Sequence, residues 1–425
     1  MTAEIAVLNK SAVVLAADSA VTIGGGMDAK IYNTANKIFH LCEDQPIGLM
    51  IFNRLDFMGL PLEVVIKEFR RHRSGKRFTS VEECKNDFLD YLSKDVPVNT
   101  QDRGQNLYFY IDSLLREVRY TFESRVDDEI KRTGRYYKGK QNSILQGVIS
   151  ELITEEQSAA GRNSVSGFAL SQDEKTLLEA QLPRHFRLFD VSAQCRNQLH
   201  RLAAFRISNR VLSDGIAGLV FAGFGDSEWC PTLIQVETDG LLKGRMLMQE
   251  RVVVDIGRTG PDAEVLGFAQ DDMVQSFVNG IDPMVRNFIG RIIRETSQSA
   301  AELILKPRAK DEDALRAIMS ALDTVLGDLS DKMSARVDSF TANNLTKDVK
   351  DMVRFMPKEE LATLAESLIE ITSLKRKVTR DRETVGGEVD VAVISRAEGM
   401  VWVKRKHYFP RDLNDRYFSR FKGAS

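Results

Sequence analysis

Short apolar runs gather in three parts of the chain and predict three groups of β-strands. The first group lies within residues 2–53, where two apolar runs flank the polar turn Asn9-Lys10-Ser11. The second lies within 216–254 and includes GLVFAGFG, whose uninterrupted apolar character is typical of a buried strand. The third, GGEVDVAVISRAEGMVWVKRKHYF, predicts two strands joined by a turn at 396–399.

Apolar residues spaced by three and four positions predict helices between these strand groups. Residues 60–71 and 81–92 show this spacing, a long polar helical region covers about 105–205, and a second helical block covers about 262–376. Acidic residues are interleaved along the charged stretches, which is typical of solvated helix faces rather than nucleic-acid arms. Strand groups separated by helices favour an α+β or layered α/β unit, with helices covering a sheet face.

The composition is that of an ordinary globular protein, since 43% of the 425 residues are hydrophobic and 28% are charged. A net charge of −2 argues against nucleic acid or an anionic membrane as a partner. No apolar run reaches the ~18 residues that span a bilayer, and the first residues lack the pattern of a secretory signal. The expected location is therefore the cytoplasm.

Cysteine and histidine offer little support for metal chemistry. The four cysteines are scattered without a CxxC pair, as expected for a reduced cytoplasmic protein without a structural zinc site. None of the five histidines pairs with another at metal-ligand spacing, so a metal centre or a Ser-His-Asp triad would need isolated residues. The remaining candidate chemistry lies at the start of the sequence.

The threonine behind Met1 is a candidate nucleophile. Methionine before a small residue is commonly removed, which would leave Thr2 with a free α-amine. Its hydroxyl could then attack a carbonyl while the amine takes the proton. An ordinary α-amine titrates near ~7.7–8.0, so a nearby cation that lowers this pKa keeps the amine neutral. A carboxylate must orient that cation, and the minimal set is therefore Thr, Lys and Asp.

The opening of the sequence resembles proteasome β-subunits and the bacterial peptidase HslV, which are N-terminal-nucleophile hydrolases. The segments TAEIAV, AVVLAADSAVT, ANKIFHL and PIGLMIF are similar to the family's leading threonine, its VVLAADS motif and its lysine-bearing strand. By this resemblance Thr2 matches the nucleophile, Asp18 the aspartate and Lys37 the catalytic lysine. Lys30 is the competing lysine, because the connection before Lys37 is longer than in the family. Each residue taken alone also has an ordinary structural interpretation.

Two later segments resemble the same family more loosely. GLVFAGFG and PTLIQVETDG are similar to its central strands, and TRDRETVGGEVDVAVISRAEG is similar to its Asp-x-x-Ser-Gly-Gly segment. The chain thus resembles a divergent bacterial-type proteasome homologue over roughly residues 2–75, 214–280 and 358–408.

The oxyanion segment departs from the family pattern. The family has an Ala-Gly-Gly stretch in which one glycine N–H binds the oxyanion, whereas this chain has Ile51-Phe52-Asn53. Any residue except proline offers a backbone N–H, so Phe52 and Asn53 are the expected donors. The bulk of Phe52 would reshape the pocket.

Other supporting positions match the family only approximately. The family's Gly-Ser-Gly loop corresponds to GRTG, which makes Thr259 a catalytic candidate and Gly257 and Gly260 substrate-binding candidates. Asp381 and Thr384 keep the Asp-x-x-hydroxyl spacing, with one extra residue before the following glycine pair. The resemblance assigns these two a supporting catalytic role.

The resemblance implies a four-layer αββα sandwich, in which two antiparallel sheets stack between helical layers. This single domain would cover residues 2–408, with large helical insertions. Its core segments would be 2–95, 211–281 and 357–408, its helical insertions 96–210 and 282–356, and its C-terminal tail 409–425.

The implied activity is that of a proteasome-like threonine hydrolase, which cleaves peptide or amide bonds and requires no metal or organic cofactor. The family further implies a homo-oligomer, either a ring or a dimer, and an unfoldase partner. Two alternatives stay open on the same fold. One is a catalytically inactive scaffold or assembly protein, which the altered oxyanion segment and the large insertions favour. The other is an amidase acting on a small molecule.

Overall fold

The computed structural model describes residues 2–23, 30–135, 139–160, 169–257, 260–305, 312–379, 385–407, 409–410 and 412–414. The strands are β1 Ala3–Asn9, β2 Ala12–Ala17, β3 Val21–Ile23, β4 Lys30–Tyr32, β5 Ile38–His40, β6 Ile47–Asn53, β7 Asp56–Phe57, β8 Leu60–Pro61, β9 Ala217–Gly223, β10 Thr232–Leu242, β11 Arg245–Asp255, β12 Ala263–Ala269, β13 Asp390–Ser395 and β14 Gly399–Lys404. The helices are α1 Leu62–His72, α2 Val81–Lys94, α3 Thr100–Thr133, α4 Gln141–Ala160, α5 Gln172–His185, α6 Ala193–Ser208, α7 Asp272–Asn279, α8 Pro283–Leu305, α9 Glu312–Thr341, α10 Lys347–Val353 and α11 Lys358–Val378, and a π-helical turn at Ala342–Thr346 joins α9 to α10.

The first sheet joins early and late parts of the sequence in the order β12-β1-β2-β13-β14. β1 and β2 form an antiparallel hairpin in which Glu4 lies opposite Ala17 and Asn9 opposite Ala12. β12 pairs with the free edge of β1, and β13 pairs with the free edge of β2, both antiparallel. Both hairpin strands are therefore interior to the sheet and wholly buried, which explains their nearly uninterrupted apolar sequences.

One face of the hairpin packs against helices. Ala3, Ile5 and Val7 share an apolar core with residues of α7 and α11, and α11 lies across β1 and β2. Side chains alternate between the two faces of a strand, so Glu4 points to the opposite face of the sheet. The charged side chain of Glu4 is therefore directed away from the helices and is buried on the other face of the sheet.

The opposite face of the first sheet packs on the beginning of β6. A Cβ atom at Gly48 would lie 2.8 Å from Ile394 Cδ1 and 3.5 Å from Leu15 Cδ1, so the glycine permits this close approach. β6 belongs to a second five-stranded sheet with the order β11-β10-β9-β6-β5. Helices, the first sheet and a strand of the second sheet thus follow one another in layers here.

The described residues fall into two compact units. The first comprises Met1–Met50, Ala222–Leu233 and Val254–Ser425, and the second comprises Ile51–Phe221 and Ile234–Val253. The second unit has a core of its own, in which α3, α4, α5 and α6 pack through buried leucine, isoleucine, valine and phenylalanine side chains. Among the described helices, none combines the length and the apolar character that spanning a bilayer requires.

The predicted α+β class is confirmed by these antiparallel sheets and their helices, and each predicted strand group contains strands. The helical prediction from about residue 262 is wrong at its start. Ala263–Ala269 forms β12, because the apolar residues of AEVLGFA pair along the otherwise open edge of β1. The helix begins only at Asp272.

Phe52 is a core residue of the second unit. Its side chain is buried at the end of β6, and its ring lies directly over Gly218 on the neighbouring strand β9. A Cβ atom at position 218 would overlap three carbon atoms of the ring. The absence of a side chain at Gly218 therefore creates the space that the Phe52 ring fills.

We expect Gly218→Ala to lower the free energy of unfolding by about 1–3 kcal/mol, because the ring must move off its preferred position. Combining it with Phe52→Leu should cost less than the sum of the two single variants, since the smaller side chain relieves the overlap. Urea denaturation of wild type, the two single variants and the double variant measures this coupling. Gly215→Ala is the control, because its Cβ would meet Ser213 Oγ at an ordinary 3.5 Å. Strictly additive effects would contradict the packing described.

Candidate functional site

The Lys37 side chain is completely buried, with 0% of its surface exposed. Its ammonium donates a short hydrogen bond to Asp18 Oδ1 and lies 3.1 Å from Glu4 Oε1. Glu4 lies on β1, Asp18 directly follows β2, and Lys37 directly precedes β5. Burying an unpaired ammonium costs several kcal/mol, so the two carboxyl groups make this position tenable. The competing lysine, Lys30, is exposed on β4.

Asp18 connects this ammonium to the backbone of three segments. Its Oδ1 also accepts the N–H of Ala3 at 3.2 Å, while Oδ2 accepts the N–H of Ala20 at 3.3 Å and of Gly386 at 2.9 Å. Aspartate suits a strand end because its short side chain reaches nearby backbone N–H groups. Asp18 thus holds the first residues of β1 in place next to Lys37.

Glu4 is the member of this cluster that the sequence analysis missed. It is fully buried, with Ala17 opposite it on β2 and Phe268 opposite it on β12. Burial raises the pKa of Glu4 to about 7; the charge of Lys37 lowers it and that of Asp18 raises it. The available signal was a charged residue within the apolar strand AEIAVL, because glutamate is almost never fully buried without a partner.

Thr2 immediately precedes β1 and is only 2% exposed in the full chain. Its carbonyl accepts the N–H of Gln270 at 3.1 Å, which extends the pairing of β1 with β12 by one residue. The Thr2 side chain also contributes to lowering the pKa of Glu4, so the two side chains are close together. Among the described residues, Thr2 Oγ1 and both Glu4 oxygens have no hydrogen-bond partner of normal geometry. Thr2 and Glu4 are therefore neighbours without a formed hydrogen bond.

The glycine pair Gly386-Gly387 closes the cluster from the far end of the sequence. Gly386 donates to Asp18, and its carbonyl accepts the Ser19 N–H at 3.2 Å. Gly387 has a φ of 78°, and a Cβ there would lie 2.9 Å from Asn33 Cβ and 3.1 Å from Ser19 Cβ. Both the backbone conformation and the lack of space exclude a side chain at this position.

Gly257 and Gly260 are not brought to Thr2. β12 runs antiparallel to β1 and begins opposite Asn9, so the residues before it lie at the other end of β1 from Thr2. A Cβ at Gly257 would lie 2.8 Å from Cε of Lys10, at the hairpin turn. The residue that pairs with Thr2 is Gln270, which directly follows β12, whereas Gly257 and Gly260 precede β12.

The remaining predicted residues lie elsewhere or outside the described part of the chain. Phe52 and Asn53 belong to the second unit, where Phe52 packs on β9 and Asn53 is exposed with a φ of 60°. Thr259, Asp381 and Thr384 lie outside the residues that the structure describes. The oxyanion and supporting catalytic roles of these five residues stay predictions.

The cluster can hold a proton and a positive charge next to a hydroxyl group. Lys37 supplies the charge, Asp18 fixes the lysine, and Glu4 exchanges a proton in the neutral pH range. Among the residues that the structure describes, no group of three or more His, Cys, Asp or Glu side chains is placed to bind a metal ion. The chemistry that these side chains offer is proton transfer and nucleophilic attack.

No protein-family model and no curated protein sequence matches this chain. Among solved structures, Anbu from Hyphomicrobium sp. strain MC1 is similar to it with a TM-score of 0.28 and 9% sequence identity. The match covers 99% of this chain and 96% of that chain. This similarity is too low to assign a fold or an activity.

We expect Glu4→Gln to stabilise the protein relative to wild type at alkaline pH. Burial raises the folded-state pKa of Glu4 from 4.5 to about 7, so the folded state binds more protons than the unfolded chain between these values. The contribution of Glu4 to wild-type stability therefore falls as pH rises through this window, by up to ~3 kcal/mol. Glutamine stays uncharged, so its advantage over wild type should grow from pH 4.5 to pH 8 in urea denaturation. Glu155→Gln, at an exposed position, should show no such trend, and parallel pH curves for wild type and Glu4→Gln would contradict the assignment.

Lys37→Met should destabilise the protein by about 3–5 kcal/mol, because it leaves two carboxyl groups buried without a cation. Adding Glu4→Gln should recover part of this loss, since only one buried carboxyl group then remains. Thermal and urea unfolding of the single and double variants measure the coupling. Lys30→Met changes an exposed lysine and should shift stability by less than about 0.5 kcal/mol. Equal losses in the two lysine variants would refute the structural role of Lys37.

Proposed function

We propose that this protein is a threonine hydrolase that cleaves peptide or amide bonds with Thr2 after removal of Met1. The observation that carries the proposal is the buried ammonium of Lys37, paired with Asp18, close to the start of β1. Asp18 accepts the N–H of Ala3, the residue that follows the nucleophile, and so ties the position of Thr2 to that of Lys37. The resemblance of the opening segment to N-terminal-nucleophile hydrolases supports the same roles.

In the proposed reaction, Thr2 Oγ1 attacks the substrate carbonyl carbon while the α-amine of Thr2 accepts the hydroxyl proton. The tetrahedral intermediate then breaks its C–N bond, and the proton passes from the α-amine to the leaving nitrogen. An acyl ester on Thr2 and a free amine product result. Water, activated by the same α-amine, hydrolyses the ester and restores the hydroxyl group.

Lys37 and Asp18 act on this reaction through charge and position. An ammonium near the α-amine disfavours a second positive charge, which lowers the pKa of the amine and keeps it able to accept a proton. Asp18 orients that ammonium and is itself held by backbone donors. Thr2, Asp18 and Lys37 flank three different strands, so they can act together only once the chain has folded.

The proposal includes the four-layer αββα sandwich, with a core of residues 2–95, 211–281 and 357–408 and helical insertions at 96–210 and 282–356. Its support is the layering within the first unit and, within the second unit, the contact of Phe88 on α2 with Phe221 on β9. A cytoplasmic location, a ring or dimer of identical chains and an unfoldase partner belong to the same proposal.

The direct test combines the intact mass of the purified protein with covalent labelling by an inhibitor that reacts with N-terminal threonine. We expect a mass without Met1, an adduct on the peptide that begins at Thr2, and turnover of acyl-peptide or small acyl-amide substrates. Thr2→Ala should abolish the adduct and lower turnover by at least about 10³-fold. Thr363→Ala, at an exposed position on α11, is the control and should leave both unchanged.

The outcomes separate the alternatives. Retained Met1 would refute the mechanism, because Thr2 would then lack a free α-amine. Met1 removal without an adduct or turnover would favour a scaffold protein. Turnover confined to small acyl amides would identify a small-molecule amidase instead of a peptidase.

A further inference from the structure

Thr2, Glu4, Asp18 and Lys37 together form the Thr2 centre. In this centre two carboxyl groups share one buried cation, the Lys37 ammonium. Asp18 accepts three backbone N–H groups in addition to the Lys37 ammonium. Glu4 lies 3.1 Å from the same ammonium, but within the described residues neither of its oxygens has a hydrogen-bond partner of normal geometry. The backbone therefore stabilises the negative charge of Asp18 and not that of Glu4.

The charge of the cluster depends on the proton of Glu4. With Glu4 neutral, Lys37 and Asp18 cancel, and with Glu4 ionised the cluster carries one net negative charge. The buried position of Glu4 favours its neutral form and raises its pKa to about 7. The change of charge therefore falls within the range in which an N-terminal amine is also titrated.

We propose that Glu4 is a positioning residue of the Thr2 centre, which acts through Lys37 to set the pH above which Thr2 can attack its substrate. The inference rests on the proposed function, in which the positive charge of Lys37 keeps the α-amine of Thr2 neutral. Ionised Glu4 offsets that charge and raises the pKa of the amine, so the amine holds its proton at higher pH. Neutral Glu4 leaves the effect of Lys37 undiminished.

Among the described residues, few other charged groups lie close enough to Glu4 to affect its protonation. On the flanking strands, the residues opposite Glu4 are Ala17 and Phe268, which carry no charge. Within the described part of the chain, the charged groups that act on Glu4 are Lys37 and Asp18, and the Thr2 hydroxyl lies just before its strand. The field that Glu4 experiences is therefore set by the residues already assigned to the centre.

The test is the pH dependence of kcat/KM, which reports the pKa values of the free enzyme. Glu4→Gln should move the acid limb of the profile to lower pH by about one to three units, the range by which one nearby charge shifts a pKa. Glu4→Asp keeps an ionisable carboxyl group and should retain a limb close to that of wild type. Glu155→Gln is the matched control at an exposed glutamate and should leave the profile unchanged.

An unshifted acid limb in Glu4→Gln would overturn the role of Glu4 and leave the threonine mechanism intact. Complete loss of turnover in a folded Glu4→Gln protein would also overturn it, because Glu4 would then transfer the proton itself. If wild type has lost Met1 but does not turn over, the proposed function fails while the role of Glu4 is still testable. The extent of acetylation of the Thr2 α-amine can then be measured by mass spectrometry across pH. The pH at which it reaches half its maximum should be lower in Glu4→Gln than in wild type by the same amount. No shift in that assay would refute the role.

Discussion

The Lys37 ammonium, buried between the carboxyl groups of Asp18 and Glu4, joins three segments of the chain, namely β1, the end of β2 and the segment before β5. An ammonium tolerates such burial only while its partners stay in place, and the carboxyl groups tolerate it only while the ammonium is present. The burial of these two carboxyl groups and the docking of the segment before β5 are therefore mutually dependent. The position of Thr2 follows from this dependence, because Asp18 also holds the N–H of the next residue.

The sequence was sufficient to predict the parts of this site that depend on local order. Apolar runs located β1 and β2, and the motif around Asp18 placed an acidic residue where β2 ends. Lys37 directly precedes β5. The structure brings the side chains of Asp18 and Lys37 together. Their catalytic roles remain a proposal.

Features that depend on partners distant in sequence were not predictable in the same way. Glu4 stands out locally as a charged residue in an apolar strand, but only the folded chain brings its partner Lys37 against it. Ala263–Ala269 was assigned to a helix because its strand character comes from the open edge of β1. Gly257 and Gly260 were expected near Thr2, yet the direction of β12 puts them at the opposite end of β1. In each case tertiary pairing outweighed the local signal.

The hydrogen bond from Gly386 to Asp18 spans 368 positions of the chain, and β13 fills the edge of β2 from the same late segment. At a synthesis rate of about 5–20 residues per second, roughly 20–70 s separate the emergence of these two residues from the ribosome. Throughout that interval β2 is an unpaired apolar edge, which is a template for association with other chains. The centre around Thr2 is therefore completed only after the late segment with Gly386 and β13 has been synthesised.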